Sequence, residues 1–122
     1  MELLVVVAII GALAAIAIPM YSNYVDKAQV AVAISTLDNI RKNFESFHID
    51  NQEYPAKPID FNTGLDANLN TVFSAVLRGQ INEDLTEPYY NTAINGYYVT
   101  AKARDKKQTM LTLTPIEISK AP

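Results

Sequence analysis

Residues 3–20 read Leu-Leu-Val-Val-Val-Ala-Ile-Ile-Gly-Ala-Leu-Ala-Ala-Ile-Ala-Ile-Pro-Met, without a charge and preceded by the lone acid Glu2. At about 1.5 Å of rise each, about 18 such residues make about 27 Å of helix, close to the roughly 30 Å hydrocarbon thickness of a bilayer. From Asp26 the helical period continues, but the pattern becomes one-sided. Val30, Ile34, Leu37, Ile40, Phe44 and Phe47 follow one another at spacings of 4, 3, 3, 4 and 3, which places them on one stripe. Gln29, Asp38, Arg41, Lys42 and Glu45 lie between them and suit a wetter face. The pattern predicts one nearly continuous helix from Leu3 to Asp50, roughly 70 Å long. Its front half is apolar all round, and its back half is amphipathic.

Pro19 removes a backbone donor inside this helix and crowds the preceding turn, so a bend is expected there. Gly11 is a second weak point, costing about 1 kcal/mol against Ala. The helix should stop before Tyr54-Pro55, because the residue before a proline is pushed out of the helical region. Residues 55–71 are rich in turn formers and read as a connection, with a short helix or apolar insert over Thr71–Leu77 that Gly79 stops. Gly96–Lys102 and Thr109–Pro115 alternate in polarity as strands do, and Arg104-Asp105-Lys106-Lys107 reads as the solvated turn between them. Tyr89-Tyr90 opens a preceding strand, with Asn95-Gly96 as the intervening turn. The expected organisation is a hydrophobic half-helix over 1–25 and a head over 26–122. The head holds an amphipathic helix over 26–53, a loop over 55–88 and a β-hairpin region over 89–116. The expected fold is α+β: a long N-terminal helix packed by a small C-terminal antiparallel sheet of two to four strands.

Composition narrows the chemistry. The 122 residues suit a single domain, and the mean hydropathy of only +0.04 makes the remainder distinctly polar once the opening run is set aside. A net charge of −3 gives no electrostatic footprint for nucleic acid, so no nucleic-acid partner is expected. With no cysteine there is no disulfide, thiolate nucleophile or cysteine metal site. A cleaved secretory signal wants a basic start and a small-residue cleavage site; Met1-Glu2 and Ile18-Pro19-Met20-Tyr21 supply neither, so the segment is expected to be retained. Catalysis needs converging groups, and none is apparent. The single histidine, His48, lies between Phe47 and Ile49, and Ser46, His48 and Asp50 are two apart, hence on different helix faces. No catalytic residue, cofactor or metal site is assigned.

The run Glu2–Pro19 resembles the N-terminal segment of type IV pilins and of the pseudopilins of type II secretion. Ile49-Asp50-Asn51-Gln52-Glu53-Tyr54-Pro55 is similar to the end of the long pilin helix, and the Gly96–Pro115 hairpin to the family's terminal sheet. The resemblance implies that Glu2 is an assembly residue, pairing with the N-terminal amine of a neighbouring subunit. It implies that Gly11 and Pro19 bracket a stretch of helix able to loosen in the filament. Leu3, Leu4, Val5, Val6, Val7, Ile9, Ile10, Leu13, Ile16 and Ile18 would form the filament core, after residence in a bacterial inner membrane. The product would be a helical homo-oligomer, extracellular or periplasmic, made with minor pilins and assembly machinery that includes a separate motor ATPase. The family's precursor carries a leader, an aromatic N-terminal residue and several more residues before the glutamate. Here Met1 alone precedes Glu2, so leader processing and an N-methylated terminus are not carried over to Met1.

The physics of a carboxylate agrees with that transfer. At a bilayer edge Glu2 is affordable, but in an apolar core it must be paired or protonated, and a charge satisfied in one register specifies that register. Burying the apolar run would remove on the order of 1,500 Å² from water, roughly 35–40 kcal/mol before opposing costs. A structural filament subunit is therefore the leading expectation, for adhesion, motility or protein secretion, with a secretion pseudopilin and a monomeric membrane-anchored binding module as alternatives. Asp60, Asp66, Glu83, Asp84 and Glu87 fall in expected loops without the Asp-x-Asp-x-Asp-Gly spacing of a calcium loop. Tyr21, Tyr24, Phe44, Phe47 and Tyr54 raise electron conduction, yet the first two sit where interfacial aromatics belong and Phe44 and Phe47 belong to the core stripe.

Overall fold

One helix carries the whole molecule. In the computed structural model, which describes residues 2–94 and 96–120, helix α1 runs Glu2–Asn51 without interruption through Pro19. Pro19 withholds one backbone bond from the carbonyl four residues before it, and the helix continues on both sides. It ends where the side chains and the backbone jointly cap it. Gln52 takes the left-handed conformation at φ 62° and donates its N–H to the His48 carbonyl at 2.7 Å, while Asn51 Nδ2 donates to the Phe47 carbonyl at 3.0 Å. Tyr54 then turns back over α1, its ring 4.5 Å from His48, and Pro55 is buried.

Helix α2 spans Ala75–Asp84, and four strands follow: β1 Leu85–Ala93, β2 Gly96–Ala103, β3 Met110–Leu113 and β4 Ile118–Lys120. They form one antiparallel meander in the order β1-β2-β3-β4. Alternation decides which face is buried. Tyr97, Val99, Ala101 and Ala103 of β2 and Leu111 and Leu113 of β3 point inward, and their neighbours face out. The inward face lies on the back half of α1, where Leu37, Ile40 and Phe44 are fully buried and Phe47 nearly so. Phe44 is the hub, with ring centroids 4.6 Å from Tyr97, 5.2 Å from Tyr90 and 5.6 Å from Phe73. The Tyr90 hydroxyl donates to the Pro55 carbonyl at 2.7 Å and ties the end of the helix connection to β1.

Several expectations are corrected. The segment 55–88 is not a loop throughout: it contains α2 and the start of β1. Ser74 caps α2 by accepting from the Leu77 N–H, and Leu77 and Ile81 put one side of it into the core. Gly79 does not stop that helix; it sits on the exposed side, and the core contacts outweigh its propensity cost of about 1 kcal/mol. The sheet region begins at Leu85 rather than 89, so Glu83 and Asp84 are helical and Glu87 is in a strand. Pro88 is tolerated in β1 because that strand is an edge with its register broken between Thr86 and Tyr89. Strand β4 extends the sheet beyond the expected 116 limit. Asn95 of the expected Asn95-Gly96 turn, and Met1, lie outside the described residues.

The connection from 56 to 74 is ordered by two carboxylates. Asp66, 4 % exposed, accepts from the Asn68 and Asn70 N–H groups, both at 2.9 Å. Asp60 accepts from the Asn62 N–H at 2.8 Å. Gly64 is required here: its φ is +73°, its carbonyl receives the Val72 N–H at 2.8 Å, and a Cβ would stand 2.9 Å from the Phe73 carbonyl oxygen.

Candidate assembly surface

The front half of α1 is bare. Every large apolar side chain from Leu3 to Ile18 is between 52 % and 75 % exposed. An 18-residue window of this helix has a mean hydropathy of 2.8 and no residue buried by the rest of the chain. No element of the head folds back on it, because the sheet and α2 are fully engaged with the stripe farther along. The helix is long enough and apolar enough to cross a membrane.

Glu2 occupies the first turn of α1, exposed, where the unpaired N–H groups of a helix start favour a negative charge. Among the described residues it joins no ion pair. A Cβ placed on Gly11 meets nothing within 4 Å, so packing within one subunit does not require glycine there. Pro19 lies inside the same exposed stretch. Glu2, Gly11, Pro19 and the apolar residues from Leu3 to Ile18 therefore share one uncovered rod, and nothing in the head approaches Glu2.

Val30, Ile34, Leu37, Ile40, Phe44 and Phe47 face the head instead. Val30 and Ile34 are half-buried at its lower edge. Two further buried residues of this face, Ala33 and Thr36, escape an apolar-stripe reading because one is small and the other polar. Thr36 is there for a reason: its hydroxyl donates to Asp84 Oδ2 at 2.6 Å and pins α2 to α1.

The lower edge of the head holds contacts that the sequence conceals. The β2–β3 turn reaches back to α1, where the Lys106 N–H donates to Asp26 Oδ1 at 3.3 Å and the Lys106 ammonium to the Ser22 hydroxyl. Asp105, expected in a solvated turn, is 7 % exposed. Its two oxygens accept from the Thr109 N–H at 2.8 Å and the Thr109 hydroxyl at 2.6 Å. Burial by itself would raise the Asp105 carboxyl, but those two hydrogen bonds, a backbone N–H of its own and the nearby Lys107 outweigh it and hold the group below the ordinary carboxylate value. The spacing Asp105-x-x-x-Thr109 is the one sequence signal of this closure. Burial also raises the phenols of Tyr90, Tyr97 and Tyr54, with Asp66, Tyr54 and Glu45 respectively adding to it.

Among the described residues no catalytic constellation forms around His48, whose ring lies tilted against Tyr54 at the far end of α1. Among the described residues there is no group of three or more histidine, cysteine or acidic side chains placed to hold a metal ion.

The chain has sequence relatives among fimbrial proteins. The chain is 48 % identical over 52 residues to the type IV major fimbrial protein FimA of Dichelobacter nodosus, a match covering 43 % of this chain and 33 % of that protein. A fimbrial protein of Pseudomonas aeruginosa is 46 % identical over 52 residues, covering 43 % and 34 %. A fimbrial protein of Moraxella nonliquefaciens is 38 % identical over 84 residues, covering 57 % and 54 %. The matched stretch thus spans about a third to a half of the length of these relatives. No family model matches the chain, and no solved structure does. A 50-residue helix, a bare apolar half and a four-stranded antiparallel sheet on the other half make a pilin-like arrangement, and these fimbrial relatives support a type IV pilin family for the chain.

Proposed function

We propose that this protein is a structural subunit of a type IV pilus or a related type IV filament. It resides in the inner membrane through residues 1–25, the segment that contains the front half of α1, and polymerises through that same segment while residues 26–122 form the head. The single observation that carries this reading is the uncovered apolar rod: about 27 Å of helix with no partner in its own chain needs lipid or copies of itself around it. Exchange of lipid for neighbouring helices keeps the apolar surface out of water at every stage. The subunit catalyses nothing; work for extraction comes from a separate motor.

Glu2 is the register residue in this reading. Brought into an apolar bundle, its carboxylate is tolerated only against a partner cation, and the N-terminal amine of the next subunit is the group of matching chemistry. Gly11 and Pro19 supply the places where the rod can yield as it is repacked.

Electron microscopy of the native assembly, with immunolabelling of this chain, tests the reading. Thin fibres that contain the chain are expected, and Glu2→Ala should abolish them while leaving the membrane-resident subunit folded and at normal abundance. Membrane-dispersed monomers under assembly conditions, or fibres undiminished in Glu2→Ala, would overturn the filament reading or the role of Glu2 respectively.

A further inference from the structure

The chain is acidic overall, yet one flank at the foot of its head is cationic. Lys27 on α1, Lys106 and Lys107 on the β2–β3 turn and Lys120 in β4 are all exposed at the level where α1 leaves the head. They converge because the topology brings β4 beside β3 and because Lys106 fastens the β2–β3 turn to Ser22 and Asp26. Lys27, Lys107 and Lys120 surround a cleft of about 380 Å³ floored by Val30 and Ile34. The acids on this flank are already engaged. Asp26 accepts from the Lys106 N–H, and Asp105 is buried against Thr109. The opposite flank is different, since Glu83 and Asp84 stand there beside Arg104. The positive surface is therefore one-sided.

Its height along α1 identifies what it faces. The wholly apolar run ends at Met20, with the polar residues Tyr21, Ser22, Asn23 and Tyr24 following it, and the polar layer of a bilayer adds about 5–7 Å beyond the hydrocarbon on each side. At 1.5 Å per residue that layer covers about four residues of helix, from Tyr21 to Tyr24 or Val25. Tyr21 and Tyr24 are both largely exposed, as aromatic side chains at a headgroup boundary are. Ser22 lies inside the layer, so the turn that holds it, with Lys106 and Lys107, is set at the depth of the lipid phosphates.

We propose that Lys27, Lys106, Lys107 and Lys120 form a binding surface for the phosphate headgroups of anionic lipids, which holds the head of the unassembled subunit down on the membrane around its own shaft. The proposal rests on the reading that the front half of α1 resides in a bilayer. The cleft offers ammonium donors to phosphate oxygens and an apolar floor to the glycerol end of a lipid. Lipid contact on one flank alone would also tilt the head toward the membrane on that side, lifting the Glu83–Asp84–Arg104 flank away from the headgroups.

The absence of cysteine allows a single label. Ala28→Cys, on an exposed helical position next to Lys27 but on the Glu83–Asp84–Arg104 flank, clear of the lysines, carries a donor dye in the full chain reconstituted into phosphatidylcholine vesicles. Energy transfer is then measured to trace acceptors that are acyl-chain-labelled phosphatidylglycerol or acyl-chain-labelled phosphatidylcholine. The expected result is a higher relative association of phosphatidylglycerol, reduced up to about fivefold by each of Lys27→Gln, Lys107→Gln and Lys120→Gln. It should also be weakened strongly at about 0.5 M salt, where screening is shortened to a few ångström. Lys106 is left in place in this series so that the turn stays fastened to α1. Equal transfer to the two lipids, or a preference unchanged when Lys27→Gln, Lys107→Gln and Lys120→Gln are combined, would overturn the lysine surface alone. A chain that floated with no vesicles of either composition would overturn the bilayer reading and the lysine surface with it.

Discussion

The two halves of α1 belong to one unbroken helix, yet they meet opposite fates. From Val30 to Phe47 the apolar residues occupy a stripe, and the sheet and α2 cover it so completely that Leu37, Ile40 and Phe44 retain no exposure. From Leu3 to Ile18 the apolar residues occupy every side, and the chain covers none of them. The difference lies in geometry more than in hydrophobicity. A sheet of four short strands can clad one face of a helix, whereas a helix apolar all round needs neighbours on all sides. The back half therefore stabilises the head, and the front half is left without cover in its own chain.

That contrast can be broken most sharply at its two centres. Phe44→Ala removes the ring on which Phe73, Tyr90 and Tyr97 converge and should cost the head about 3–5 kcal/mol, read by denaturant unfolding of the full chain in micelles. Leu13→Ala, although it too truncates a large apolar side chain, should change the same measurement by less than about 0.5 kcal/mol. Equal losses at the two positions would mean that the front half is clad after all. Next in size is Gly64→Ala, expected to cost about 2 kcal/mol, because the new methyl meets the Phe73 carbonyl and the left-handed backbone resists it. The same substitution at Gly11 should not destabilise the subunit, since open space surrounds it and alanine is the better helix former.

Smaller effects sharpen the boundary between the halves. Asp105 closes the turn that fastens the head to Ser22 and Asp26, and Asp105→Ala should cost about 1 kcal/mol with looser packing of that turn on α1. The sign of its pH dependence follows from a carboxyl held below its ordinary value in the folded chain. Its stabilisation is present above the unfolded value of about 3.9 and is lost as the pH falls through the lower folded value. Wild-type stability should thus decline on acidification below about pH 4, and the Asp105→Asn variant should show a shallower decline in urea titrations across that range. Smallest of all is Tyr97→Phe. The Tyr97 hydroxyl is buried with no hydrogen-bond partner among the described residues, so its removal should be neutral or raise stability by less than about 1 kcal/mol. It should also lessen the loss of stability above about pH 10, where the raised phenols of Tyr90 and Tyr97 oppose ionisation in the folded state.

Legibility along the sequence followed the range of the interactions involved. The long helix was readable from periodicity, and its end from Tyr54-Pro55, because both depend on residues within a turn or two. The hairpin β2–β3 was readable from alternation for the same reason. Helix α2 was obscured by Gly79, whose local cost is overridden only by Leu77 and Ile81 meeting the core. Strand β1 was misjudged at its start, since Glu87 and Pro88 look like loop residues until the strand is known to be an edge with a break in register. Lys106 looked solvated because its partners, Ser22 and Asp26, lie eighty or so residues away, and Asp105 because its only local sign is the spacing to Thr109 within a charged tetrapeptide.

By itself, then, the sequence determined a rod: an uncharged run of membrane length, an acid before it, and a stripe after it that demanded a cover. Those are one-dimensional properties, set by spacing and transfer free energy, and they already implied a subunit whose front half lacks a partner within its own chain. Only the tertiary structure decided where the cover stops. The head ends its grip on α1 at Ser22 and Asp26, fixed by a turn whose two ends are brought there by the sheet, and the same folding gathers Lys27, Lys107 and Lys120 from three elements onto one flank. Charges distant in sequence become one surface only when strands and helix are packed, because their convergence is a property of topology and carries no local signal.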